Sequence, residues 1–264
     1  MKLLQKITKQ LSLKSSKQFT TTETTKSLLK FLKLPLASTK EIFEIFEAYA
    51  ERENLVTMTD GTQNEHNKWL YIQGTKPSGV CLVAHADTVF MNGPNLKITD
   101  TIISSNSDEY GIGADDRAGV ALIWMVKELG HSILITDGEE IGMVGASKLA
   151  SVKKYIDYIN DNNAFFMQID RRNNLEYKHY GTGNKEFESY IENKFGYINA
   201  GNSSFTDIVV LSKTIPGVNI SACYYNEHTC LEYIDLIAFN ALVNKMYRYL
   251  STENFNNINF SRSV

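Results

Sequence analysis

The stretch Val80-Cys-Leu-Val-Ala-His85-Ala86-Asp87 runs five apolar residues straight into an imidazole and a carboxylate. A short apolar run of this kind suits a strand buried on both faces. The same layout recurs along the chain. Ile133-Leu-Ile-Thr runs into Asp137-Gly-Glu139-Glu140, and Phe165-Phe-Met-Gln-Ile runs into Asp170. The apolar run 218–223 leads through Tyr224-Tyr-Asn-Glu227 to His228. Residues 68–73 form one more candidate strand.

Helical periodicity fills the intervals. Ser38-Thr-Lys-Glu41 reads as a capping box, followed by Ile42, Ile45, Phe46 and Tyr49 at helical spacing. Residues 117–129 read as a helix closed by Gly130, residues 144–152 as another, and a short helix is expected near 205–211. A further helix over 234–250 carries Phe239, Val243, Met246 and Leu250 on one side. Strands alternating with helices imply an α/β three-layer sandwich with a mixed, largely parallel central sheet. Residues 1–27, rich in Lys, Ser and Thr, read as a flexible or loosely docked N-terminal extension, and 28–264 as one domain.

Charge and composition exclude several roles. With 27 Lys and Arg against 30 Asp and Glu, the net charge of −3 gives no general reason to seek nucleic acid or an anionic membrane. No segment approaches the ~20 apolar residues of a bilayer span. Lysines at 2, 6, 9, 14 and 17 interrupt the apolar stretch that a secretory signal requires. Cys81, Cys223 and Cys230 form no pairing framework and read as reduced thiols, which points to the cytoplasm.

In an open α/β sheet, ligands bind beyond the carboxyl ends of the strands, where these acids and imidazoles fall. A lone carboxylate there is an ordinary cap or turn residue, and His66, His131 and His179 read as ordinary surface or hydrogen-bonded histidines. Several acids and two imidazoles brought to one rim would repel and raise one another's pKa unless cations neutralised them. Two histidines with carboxylates and no cysteine cluster suit zinc or a related dication, and Cys230 is assigned to packing. Gly111-Ile-Gly113 before a helix lacks the third glycine of a nucleotide-binding loop.

Five segments recur in one order: His85-Ala-Asp87-Thr-Val89; Gly113-Ala-Asp115-Asp-Arg-Ala-Gly119; Asp137-Gly-Glu139-Glu140 with Gly142 and Gly145-Ala146; Asp170; and His228-Thr-Cys-Leu-Glu232. Together they resemble the co-catalytic di-zinc exopeptidases: peptidase T, carboxypeptidase G, succinyl-diaminopimelate desuccinylase and the single-domain bacterial aminopeptidases. The resemblance implies a metallopeptidase with two Zn2+, or Co2+ or Mn2+ in their place. His85 and Asp170 would bind one ion, Glu140 and His228 the other, and Asp115 both. Asp87 would fix the His85 tautomer, and Glu139 would be general base to a metal-bridging water. Asp115 is preferred because it lies four residues before Gly119; in the alternative, Asp115 caps the helix and Asp116 binds metal.

Asp at position 170 resembles aminopeptidases and di- or tripeptidases acting on short peptides, whereas deacylases of this family tend to carry Glu. The interval between Asp170 and His228 is too short for the separate lid of peptidase T, whose room would be ~50 residues or more. A catalytic domain without the lid is therefore expected, with residues 172–200 as a strand, turn and helix near the substrate mouth. The competing readings are a deacylase of N-acyl amino acids and an inactive binding protein on the same fold. Oligomeric state is left open.

Overall fold

A computed structural model describes residues 17–201, 203–255 and 260–262. In chain order the elements are α1 (Thr21–Leu32), α2 (Lys40–Arg52), β1 (Thr57–Asp60), β2 (Trp69–Ile72), β3 (Gly79–His85), β4 (Leu96–Ile98), β5 (Ile102–Ser105), α3 (Ala114–Val126) and β6 (Ser132–Thr136). There follow α4 (Val144–Ser151), α5 (Lys153–Asp161), β7 (Asn163–Arg171), β8 (Glu176–Lys178), α6 (Lys185–Phe195), β9 (Ile198–Asn199), α7 (Asp207–Leu211), β10 (Gly217–Ser221), β11 (Tyr224–Tyr225), β12 (Tyr233–Asp235) and α8 (Leu236–Thr252).

The quoted stretch is β3, buried along its length and central in an eight-stranded sheet of order β1-β2-β6-β3-β7-β10-β8-β9. The neighbours β6, β3, β7 and β10 run parallel, so their carboxyl ends share one rim. Strands β1, β2 and β8 pair antiparallel at the flanks, which makes the sheet mixed. Alternate side chains of each strand enter opposite layers. Val80, Leu82 and Ala84 pack with Phe43, Phe46, Val120 and Phe239 from the helices on one face. Cys81 and Val83 pack with Leu149, Ile156 and Leu211 on the other. The three-layer arrangement expected from the sequence is the one observed.

The region between Arg171 and Ser204 adds β8, α6 and β9 to the sheet edge, in line with the expected strand, turn and helix. A second, antiparallel sheet of order β11-β12-β5-β4 was not anticipated. Its strands are two to four residues long, too short to show a period. This small sheet carries the β11–β12 loop over the rim, with His228 in it.

Two expectations near the N-terminus change. The described part of the supposed extension is docked: α1 begins with a reciprocal Thr20–Glu23 capping box and buries Thr24, Leu28, Phe31 and Leu32. The Thr-rich composition obscured that apolar stripe, while residues 1–16 lie outside the described residues. The second change concerns α2, whose N-cap position is Thr39, while Ser38 one residue earlier accepts the Lys40 amide at 3.3 Å. The Ser38 hydroxyl donates to Glu41 Oε2 at 2.7 Å, and the Thr39 hydroxyl is spent on buried Asp137 at 3.1 Å.

Candidate metal centre

Strand termini and short loops bring the acids and imidazoles together. His85 closes β3, Asp170 is the penultimate residue of β7, and Asp87 lies two residues past the end of β3. Glu139 and Glu140 follow β6 in a loop whose Asp137 and Gly138 carbonyls accept the Gly145 and Val144 amides. Asp115 and Asp116 sit at the start of α3 with non-helical backbone angles, and the peptide between them is cis. His228, at φ 63°, comes from the β11–β12 loop.

The five expected ligands converge. His85 Nε2 lies 3.2 Å from Asp115 Oδ1 and 3.4 Å from Asp170 Oδ1. His228 Nε2 lies 3.1 Å from Asp115 Oδ2 and 3.0 Å from Glu140 Oε2. Each oxygen of Asp115 thus faces a different imidazole. Asp116 points elsewhere: fully buried, it accepts the amides of His85 at 3.2 Å and Gly119 at 3.0 Å. Its carboxylate still falls in one possible ligand set with His85 and Asp170, but Asp115 is the one that lines the cavity.

Asp87 ties three parts of the rim. Its Oδ1 is 3.3 Å from His85 Nδ1, and its two oxygens accept the Glu139 and Glu140 amides at 3.2 and 3.1 Å. One carboxylate therefore orients an imidazole and the turn that bears both glutamates. Asp170 is held in turn by Gln168 Nε2 at 2.8 Å, the Thr206 hydroxyl at 3.0 Å and the Tyr224 hydroxyl at 3.3 Å.

Several supporting residues had no assigned role. Glu232, completely buried, accepts the amides of Ile112 and Gly113 at 2.7 Å each and of Asp115 at 3.1 Å, which fixes the turn presenting Asp115. Its place four residues after His228 in the quoted motif was the available signal. A side chain at Gly111 would collide with that carboxylate and with Phe90, and one at Gly119 with the Ile169 carbonyl and Asp116. The glycines of this motif therefore allow close backbone approach. Asp207 is buried against the Thr136 hydroxyl, with its Oδ1 unpartnered among the described residues.

The electrostatics follow from burial and crowding. Burial pushes Glu139 up to about 8; a charged His85 opposes the rise, and Asp170, Asp115 and Glu140 add to it. Asp170 is pushed up to about 7 by burial and then by Asp115. Burial also acts against Asp115, yet hydrogen bonds from His228 and His85 hold it well below the usual carboxylate range. Its hydrogen bonds to Asp115 and Glu140 raise His228 to about 11. Burial lowers the proton affinity of His85, but Asp170 and Asp115 reverse the effect and raise it. This is a rim of anions that draws protons for want of other positive charge.

Such a donor set fits divalent metal. Ligand atoms of His85, Asp115 and Glu140 all lie within 4.8 Å of one another, as do those of His85, Asp116 and Asp170. Imidazole and carboxylate are zinc ligands, and none of the free thiols belongs to either group. The rim borders a cavity of about 260 Å3 that Asp115, Glu139, Glu140, Asp170 and His228 line together.

The sequence profile of peptidase family M28 matches residues 67–210, more than half of the chain. The chain belongs to peptidase family M28. This M28 protein is accordingly a metallopeptidase, a zinc-dependent hydrolase of the co-catalytic zinc exopeptidase superfamily. The match spans His85, Asp87, Asp115, Glu139, Glu140 and Asp170, with His228 beyond its end. No curated protein matches the M28 chain. Solved structures share its fold. An aminopeptidase PepT from Bacillus cereus is 15% identical at a TM-score of 0.65, with 88% of this chain and 98% of that one covered. A tripeptidase from Staphylococcus aureus is 14% identical at 0.67, with 90% and 100% covered. An aminopeptidase from the archaeon Desulfurococcus kamchatkensis is 13% identical at 0.62, with 89% and 96% covered. Among the described residues of this M28 peptidase, no helix is long and apolar enough to cross a membrane.

Proposed function

We propose that this peptidase acts on short peptides from a free amino terminus, as an aminopeptidase or di- or tripeptidase, with two zinc ions. The observation that carries the reading is Asp115, whose two oxygens face His85 at 3.2 Å and His228 at 3.1 Å. A carboxylate shared between two cations needs that division. His85 and Asp170 would hold one ion, Glu140 and His228 the other, and Asp115 both.

Zinc bound there supplies Lewis acidity to the scissile carbonyl and lowers the pKa of water. The protein's own groups do the rest. Glu139 lines the same cavity, and its upward shift to about 8 suits a carboxyl that takes a proton from water and returns it to the leaving amine. Asp87 positions Glu139 through its amide and His85 through Nδ1.

Glu139→Gln tests the reading. Zinc content by elemental analysis should stay unchanged, because the five ligands survive, while kcat falls about 10²–10⁴-fold with loss of the general base. Undiminished turnover would remove Glu139 from the mechanism. A panel of free-amine peptides and N-acyl amino acids tests the substrate class, and hydrolysis of the acylated compounds alone would replace the aminopeptidase by a deacylase.

A further inference from the structure

The cavity is lined by cations as well as acids. Arg171, Arg172 and Lys178 line it, carried by the end of β7, the residue after it, and strand β8. Two of these cations have acidic partners: Arg171 pairs with Glu176, and Arg172 with Glu227 at 2.7 Å. Lys178 differs. Only 3% exposed, its ammonium donates to the Ser203 carbonyl and, at 3.0 Å, to the Ser204 hydroxyl, both neutral. No carboxylate pairs with it among the described residues. Arg171 Nε is likewise buried without a hydrogen-bond acceptor.

Burying an ammonium with only neutral partners is costly, and an anion entering the cavity offsets that cost. Of the acids that line the cavity, Asp115, Glu140 and Asp170 are assigned to metal, Glu139 to proton transfer, and Glu227 pairs with Arg172, so none is free to serve Lys178. The volume of about 260 Å3 lies below the ~300–1,000 Å3 of ordinary small-ligand pockets, which restricts the occupant to something compact. A compact cavity whose buried ammonium has no carboxylate partner matches a short peptide that brings a carboxylate of its own.

We propose that Lys178, flanked by Arg171 and Arg172, binds a carboxylate of the substrate, so that the enzyme selects short peptides carrying a carboxylate next to the scissile bond. This rests on the peptide-hydrolysing reading above and names its substrate class. The carboxylate is either the C-terminus of a dipeptide or the acidic side chain of the residue that follows the scissile bond.

Calorimetric titration of the zinc-loaded Glu139→Gln protein with Ala-Ala, Ala-Ala-amide and Ala-Asp-amide decides the matter without turnover. Ala-Ala should bind about tenfold or more tighter than its amide, the gain of a charge-assisted hydrogen bond. Tighter binding of Ala-Asp-amide instead would assign the same cations to an acidic side chain. Adding Lys178→Met should bring the acid-to-amide ratio close to one, and Lys178→Arg should preserve it. Arg172→Gln, on a half-exposed side chain, should lower the ratio about threefold and keeps the test available if Lys178→Met does not fold. Equal affinity for all three ligands, no binding of any, or a ratio indifferent to these variants would overturn the proposal. Equal hydrolysis of acid and amide by the unaltered enzyme would also overturn it, while leaving the peptidase reading in place.

Discussion

His85 and His228 put the same side chain to work in contrasting surroundings. The His85 side chain is 1% exposed, ends a central strand, and has its far nitrogen held by Asp87. The His228 side chain is 47% exposed, rides on a loop at positive φ, and meets the acids through Nε2. The inner half of the centre is thus set by the sheet before any ion arrives. The outer half owes its geometry to a loop and to the charges it meets, and Asp115 faces both imidazoles.

The substitution that reaches both halves should do most. Asp115→Asn removes the shared anion, and peptide hydrolysis should fall to background with zinc below one ion per chain by elemental analysis. A variant that kept two zinc ions and its activity would erase the distinction between the halves. Asp87→Asn acts on the inner half through His85, and by analogy with other residues that orient a metal ligand it should cost about 10–100-fold in zinc affinity or activity. An effect no larger than that of a surface substitution would show that the strand alone orients His85.

Smaller effects separate support from chemistry. Glu232→Gln leaves one of three buried amides facing an NH2 group, and should lower stability by about 1–3 kcal/mol in denaturant titration. The variant should still bind zinc. The least change is expected from pH. In the zinc-free protein Asp170 is raised to about 7 and Glu139 to about 8, above the ~4 of unfolded carboxyls. Their contribution to stability is full below about pH 4 and is lost as pH rises through 7 and 8. His228, raised to about 11, loses its contribution only above its unfolded value of about 6.5, in the same direction. Zinc-free protein should therefore melt lower at pH 8 than at pH 6, and zinc should raise the melting temperature more at pH 8. The reverse order would contradict the proton-for-metal exchange.

The sequence disclosed the inner half more fully than the outer. Apolar runs ending in His85, Glu139-Glu140 and Asp170 mark both the strands and the rim, because in a parallel sheet one local pattern encodes both. His228 was legible from its motif, but the small sheet that carries its loop was not, since its strands are too short to show alternation. Glu232 and Asp207 were assigned nothing: Glu232 had only its place in the His228 motif to mark it, and Asp207 bonds a hydroxyl far along the chain that no local spacing announces. The N-terminal helix was misread for a different reason, its Thr-rich composition outweighing the stripe Thr24, Leu28, Phe31 and Leu32. Asp115 and Asp116 could be ranked by register; Asp115 faces both imidazoles, while Asp116 accepts the His85 and Gly119 amides and shares a possible ligand group with His85 and Asp170.

Counting the ions bound per chain is the most direct test of the paired centre. Protein saturated with zinc and freed of excess should carry two ions, with His228→Ala retaining the one held by His85, Asp115 and Asp170. A single ion in the saturated, unaltered protein would contradict the sharing of Asp115 on which the account depends.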